Sequence, residues 1–258
     1  AADRVLKTLR VLADLPQGPD SVGVSGYKGF FYHFLTLDKA HRYKRVELST
    51  IDTGLLMAGV LSTMSYFDRD NVEEKEIRQL ADALYRRVEW DWAINDAERL
   101  SMGWRPERGY IPADWRGYNE AMVLLIMAMG SPTHPIAPNS WEKWCDTYEW
   151  MTYKGQEHVN FSPLFGHQYS HMYIDFRGIQ DPYMKEKGID YFENSRRATY
   201  ANRQYCIDNP RGFKGYGPKQ WGLTASDGPR GEPRKAMVGN QEVQFRTYWA
   251  RGASGRHI

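Results

Sequence analysis

Cysteine is nearly absent: Cys145 and Cys206 are the two in 258 residues, too few for a disulfide framework. Neither lies in a CxxC pair or beside a side chain that would act as its base. Both read as buried small hydrophobes, which leaves the redox compartment open. Long apolar runs are absent too. The longest, Ala121 to Met129, is far short of the roughly 20 residues a membrane-spanning helix needs, so no membrane insertion is expected. Neither sign of charge is in excess. Lys plus Arg number 34 and Asp plus Glu 32, a net charge of +2, which leaves no electrostatic footprint for nucleic acid or an anionic membrane as the main partner. There is no HExxH, no cysteine cluster and no short internal repeat. The opening "AADRVLKTLR" has neither Met nor an apolar signal core, as expected of a processed or trimmed protein or of a soluble cytoplasmic one.

What the chain does have is apolar and aromatic mass. Its 41% hydrophobic content is enough for a proper core, and 9 Trp and 17 Tyr supply flat faces with polar edges. Such faces suit sugars, and they equally suit cores. The patterning is helical almost throughout. Helices are expected over 3–13, from Ser49 to about Phe67, over 71–90, from about Gly117 to Met129, over 140–151 and over 182–207. Loops are expected over 17–46, 91–116 and 209–231. Some helices are amphipathic; others, such as "EAMVLLIMAM", are apolar all round and must be buried on every side. Alternation of the two kinds suggests an all-α (α/α) barrel, with inner helices whose N-termini meet at one rim.

Three helix starts carry polar groups. In "VELSTIDTGLLMAGVL" Ser49 is a good N-cap and Asp52 completes a capping-box-like pattern. Glu47 lies just outside the helix, either a solvated loop acid or a carboxylate free for chemistry. In "WRGYNEAMVLLIMAMG" Glu120 is expected in the first turn, where the helix dipole favours its charge and burial opposes it. A carboxyl balanced in this way suits acid/base catalysis, and a plain N-terminal acid is the alternative. In "SPLFGHQYSHMYIDFRG" Ser162 and Pro163 mark a third start. On a helix His167, His171 and Asp175 would follow one another at about 40°. His167 and Asp175 would then be roughly 12 Å apart along the axis, too far to share an ion. Hydrogen bonding in a half-buried polar site is the alternative to a metal. Trp90, Trp92, Trp104, Trp115 and Trp221 lie in the intervening loops, and one or two of them are expected to touch ligand. Carboxylates beside aromatic platforms suggest a carbohydrate-processing site, since glycoside hydrolysis needs two carboxyls flanking the bond.

Five blocks in one order, "GFFYHFLTLD", "VELSTIDTGLLMAGVL", "GYNEAMVLLIMAMGSPTHP", "SPLFGHQYSHMYIDFRG" and "YGPKQWGLTASDGP", together resemble the glucoamylase-like domain. That domain includes the endo-β-1,2-glucanases of glycoside hydrolase family 144 and is similar to a domain of cyclic β-1,2-glucan synthases. The resemblance implies an (α/α)6 barrel, no metal or other cofactor, an oligo- or polysaccharide substrate linked β-1,2, and bacterial export to the periplasm or beyond. By motif position it implies Glu120 and Glu47 as the catalytic carboxylates, with Asp52 as a third candidate. It implies His167, Gln168, His171 and Asp175 along the glucan groove, Trp221 and Asp227 on a covering loop, and Trp115 and Tyr32 among the substrate-binding residues. Domains of this family are considerably longer than 258 residues. The chain is therefore expected to be one domain over 1–258 with an incomplete ring, cut short on its C-terminal side either because it is trimmed or cleaved or because a second polypeptide supplies the rest. Two other readings fit the same residues. One is a non-catalytic glucan-binding or assembly module; the other is another α/α-barrel enzyme, such as a lyase with a Tyr or His base.

Overall fold

The structure is a computed structural model that describes residues 1–228 and 232–253. The end of the expected 209–231 loop and the terminal "SGRHI" lie outside the described residues. The backbone forms two compact units. One comprises Ala1–Arg116 with Ala121–Trp144; the other comprises Gly117–Glu120 with the chain from Cys145 onward.

The first unit opens with α1 (Ala2–Asp14), amphipathic and buried at Leu6 and Leu9. β1 (Gly26–Tyr27) and β2 (Phe30–Tyr32) form a tight hairpin. Its two turn residues, Lys28 and Gly29, both have positive φ, 53° and 82°, as the favoured two-residue hairpin turn requires. Gly29 has a second constraint, because a Cβ there would sit 2.5 Å from the Arg87 carbonyl oxygen. β3 (Leu48–Ser49) runs straight into α2 (Thr50–Tyr66). Ser49 makes this abrupt change work. It is extended, pairs with Phe31 and Gly103, and its Oγ accepts the Asp52 N–H at 3.2 Å. After α3 (Val72–Arg86), β4 (Gly103–Arg105) and β5 (Gly109–Tyr110) complete an antiparallel sheet in the order β1-β2-β3-β4-β5. α4 (Ala121–Met129) is apolar on every side and packs against α2, while α1 and α2 both pack on α3. The six-residue α5 (Ser140–Cys145) follows.

In the second unit, β6 (Trp150–Tyr153) and β7 (Gln156–Val159) form an antiparallel hairpin. α6 (Pro182–Lys187) ends at Gly188, whose φ of 71° stops it. α7 (Tyr191–Asp208) starts afresh at Asp190, whose carboxylate accepts the Glu193 N–H at 2.7 Å, and it packs on the β6–β7 hairpin. β8 (Ala225–Ser226) pairs with β11 (Trp249–Ala250), and β9 (Arg234–Val238) with β10 (Gln241–Phe245).

Helices are the framework in both units, and the strands are ribbons of two to five residues. The fold is all-α and helix-rich with no closed β-barrel among the described residues, the class to which an incomplete (α/α) toroid belongs. Several local expectations are corrected. The expected 140–151 helix stops at Cys145, and the Thr- and Tyr-rich residues after it turn into β6. The expected 182–207 helix is two helices broken at Gly188, and the 71–90 helix ends at Arg86. The helix expected from Gly117 begins at Ala121, so Glu120 precedes its first turn rather than lying in it. The stretch from Ser162 to Gly178 is not one helix. It holds two 3₁₀ turns, Leu164–His167 and Ser170–Met172. Its many aromatic, Ser, His and Asp residues are weak helix formers, and Gly166 is pressed against the Phe161 ring, where a Cβ would meet a ring carbon at 2.2 Å.

Candidate active site

Glu120 is half-buried, and its Oε2 is shut off from solvent with no hydrogen-bond partner among the described residues. Burial pushes its pKa up to about 7, against which a backbone N–H works only weakly. A carboxyl in this state is protonated in roughly half of the molecules at neutral pH, so it can both give and take a proton there. Tyr118, two residues earlier, is fully buried. Its ring stacks on His167 at 4.8 Å and its hydroxyl lies 3.2 Å from Ser195 Oγ.

Glu47 is treated oppositely. Cross-strand pairing of β2 with β3 continues one step, so that the His33 N–H donates to the Glu47 carbonyl at 2.9 Å. That register places the two side chains together, with His33 Nδ1 at 2.8 Å from Glu47 Oε1. Arg105, at the end of β4, reaches Glu47 Oε2 with Nη2 at 3.4 Å. Partial burial raises the Glu47 pKa, but the hydrogen bond from His33, the residue's own N–H and Arg105 outweigh it, and the net shift is downward. Asp52 Oδ2 accepts the Ser49 hydroxyl at 2.5 Å and lies 3.6 Å from His33 Nε2. Glu47, Asp52, His33 and Arg105 thus form one cluster in the first unit.

The second unit holds a groove of about 720 Å³. One wall is a face of α7, where Phe192, Ser195, Arg196, Thr199, Tyr200 and Arg203 recur at helical spacing. The other wall carries His167, Gln168, His171 and Met172 from the segment of the two 3₁₀ turns, and Trp221 joins the lining. His171 Nε2 is 3.0 Å from Ser195 Oγ, which links it to Tyr118. His167 is 2% exposed, and its Nε2 meets the Phe161 carbonyl at 3.0 Å, so that nitrogen carries the hydrogen and Nδ1 is a bare acceptor. Burial, then His158, pushes the His167 pKa down to about 3, and burial lowers that of His171, so both rings are neutral. Both Nε2 atoms are engaged, and no group of three or more His, Cys, Asp or Glu able to hold a metal occurs among the described residues.

The structure therefore brings Glu47 together with Asp52, and His167 and Gln168 together with His171 and Trp221. It does not bring in the others. Asp175 is exposed, outside the groove lining, and clamped by Arg177 at 2.8 and 2.6 Å, which holds its carboxyl down to about 2. Asp227 is exposed and outside the lining. Trp115 is a core residue whose indole N–H donates to Thr50 Oγ1 at 3.0 Å. Tyr32 is 3% exposed under the Arg42 guanidinium. Trp90 is fully buried, and Trp92 and Trp104 pack with Tyr27. His33, Arg105 and the α7 face went unseen in the sequence. The α7 face had a signal, its polar and aromatic residues recurring every three or four positions. His33 had one only through strand register.

The profile of the Glycoamylase family, described as "Putative glucoamylase", matches residues 112–257, which include Glu120 and the groove but not Glu47 or Asp52. An exo β-1,2-glucooligosaccharide sophorohydrolase (non-reducing end) of Parabacteroides distasonis is 32% identical over 205 residues, 69% of this chain and 28% of the relative. The crystal structure of a "putative glucoamylase" from Bacteroides uniformis superposes with a TM-score of 0.79 at 31% identity, covering 98% of this chain and 58% of that one. An endo-β-1,2-glucanase from Chitinophaga pinensis, solved with sophorotriose and glucose, gives 0.77 at 26% identity, covering 97% and 57%. The chain thus spans about a quarter of the length of the curated relative and under three-fifths of these solved chains. With more than half of its residues matched by the profile, the chain belongs to the Glycoamylase family, a glucoamylase-like family with β-1,2-glucan-active relatives.

Proposed function

We propose that the protein is a glycoside hydrolase of the family 144 type, acting on β-1,2-linked glucan at internal bonds, with Glu120 as general acid and Glu47 as the partner carboxylate. One observation carries the reading: the pKa values of the two carboxyls are shifted in opposite directions. Burial of Glu120, with its Oε2 shielded and unpartnered among the described residues, raises its pKa to about 7 so that it can carry a proton near neutral pH, while His33 and Arg105 favour the ionised form of Glu47. Glycoside hydrolysis asks for that division of labour. The acid protonates the leaving oxygen while the ionised partner activates water or attacks the sugar. The groove on α7 supplies aromatic faces at Phe192, Tyr200 and Trp221 for sugar rings, and donors at Gln168 and Arg203 for hydroxyls. The β-1,2 linkage is the activity named for two of the relatives. Export to the periplasm belongs to the same proposal.

The test is Glu120→Gln, which keeps shape and removes the proton. New reducing ends from β-1,2-glucan should fall by at least about 100-fold, with the far-ultraviolet circular dichroism unchanged. A folded variant with full activity overturns the assignment. Binding of the glucan by the parent protein without any new reducing ends points instead to a binding module.

A further inference from the structure

Glu47 is accounted for as a candidate catalytic carboxylate, but the group that faces it across the strand pair is not. His33 is the residue after β2, exposed at its edge, with its ring stacked on Phe34 at 4.3 Å and 11°. The stack fixes the ring plane. In that plane Nδ1 points to Glu47 Oε1 at 2.8 Å and Nε2 faces Asp52 Oδ2 at 3.6 Å. The titratable and charged groups around Glu47 come from three places: His33 just after β2, Arg105 at the end of β4, and Asp52 in the first turn of α2. Arg105 contacts only the other oxygen, at 3.4 Å, and its Nε is buried without a partner. His33 is therefore the shorter and better-directed contact of the two.

We propose that His33 is a positioning residue for Glu47: its Nδ1–H donates to Glu47 Oε1 and fixes the orientation of that carboxylate, while its other nitrogen faces Asp52 Oδ2 at 3.6 Å. The proposal rests on the reading of Glu47 as the partner carboxylate. It predicts more than the loss of a contact. Without the Nδ1 donor, partial burial would act on Glu47 against Arg105 and its own N–H alone, and its pKa would rise. A group that must be ionised to act would then lose activity at higher pH than before.

Three substitutions separate the two ring nitrogens. Asn places an amide N–H near the position of Nδ1, Gln places one near Nε2, and Ala places none. In His33→Ala the acid limb of the kcat/KM–pH profile on β-1,2-glucan should move up by roughly one pH unit, and kcat should fall about tenfold with KM little changed. His33→Gln should behave like His33→Ala. His33→Asn should keep the acid limb of the parent. The same order should appear, independently of activity, in the carboxyl-carbon NMR titration of Glu47. An acid limb and a Glu47 titration that coincide in all three variants and the parent, beside an inactive Glu47→Gln, overturn the proposal alone. A fully active Glu47→Gln overturns the reading of Glu47 and the proposal with it. A purely structural His33 would change melting temperature without moving either titration.

Discussion

Replacing Glu120 by Gln separates two effects of one side chain. The folded pKa of Glu120, about 7, lies above its ordinary value of 4.5. The folded protein therefore holds a proton that the unfolded chain gives up as pH rises through that window. Below pH 4.5 both states are protonated and nothing is lost. Between 4.5 and 7 stability falls, and above 7 the full cost is present. At 1.36 kcal/mol per pKa unit the cost reaches at most about 3 kcal/mol, less whatever solvent screening the half-buried site allows. Glu120→Gln should therefore unfold at a higher denaturant concentration than the parent at pH 8 and at the same concentration at pH 4. An equal difference at both pH values would show that Glu120 is not held in its neutral form. The variant that loses activity should thus be the more stable protein at neutral pH. In the sequence this residue was legible as a carboxylate at the edge of an apolar helix, but the direction of its shift was not. The dipole and burial arguments oppose each other, and only the shielded Oε2 decides between them. The burial of Tyr32 and Trp115 was not legible, because an aromatic side chain looks the same in a string whether it faces a sugar or a core.

At the scale of elements, helices with an apolar stripe or a clear cap were legible. Ser49 capping α2 is an example, since the cap and the hydrophobic run are both local. Strands of two residues were not, because alternation needs a longer run to appear. The stretch "SPLFGHQYSHMYIDFRG" misled because its start signals were genuine while its interior lacks helix formers. Packing sharpens what α2 tolerates. Gly54 and Gly59 are both interior to it. A Cβ at Gly54 would meet Leu124 Cδ1 of α4 at 2.7 Å and Leu124 Cβ at 3.3 Å, whereas a Cβ at Gly59 would meet nothing within 4 Å. Gly59→Ala should therefore stabilise by up to about 1 kcal/mol through helix propensity. Gly54→Ala gains the same propensity but forces α4 aside, and overpacking of that kind costs about 1–3 kcal/mol. Urea denaturation of the two variants should move the midpoint in opposite directions. A stabilised Gly54→Ala would mean that the α2–α4 contact is looser than these distances describe.

The division of the molecule into two units had no signal in the sequence. No composition shift or linker marks it, and it is discontinuous, since Gly117–Glu120 belongs with the chain after Cys145 while α4 belongs with the chain before Gly117. What the second unit implies about substrate is clearer. Its groove follows α7 from Phe192 to Arg203, eleven steps of about 1.5 Å each. Its walls are open to solvent along that length: Met172 is 70%, Tyr200 49%, Trp221 42% and Phe192 41% exposed. An enclosed pocket receives a chain end, whereas a long open groove can receive the middle of a polymer. Early digestion of linear β-1,2-glucan should therefore give a ladder of oligosaccharides and a rapid fall in mean polymer length. Release of a single disaccharide from the first time point, with polymer length falling slowly, would replace internal cleavage by cleavage from the end. The groove lining also says where to look if both patterns occur together. Trp221→Ala removes an aromatic face from the groove lining, which includes neither Glu120 nor Glu47. It should therefore weaken long substrates more than short ones, leaving kcat on the shortest cleaved oligosaccharide within about twofold of the parent while KM for polymer rises about tenfold, as loss of about 1.4 kcal/mol of ring stacking requires. An equal loss on short and long substrates would place Trp221 at the reacting sugar and shorten the working groove to the segment beside His167 and His171.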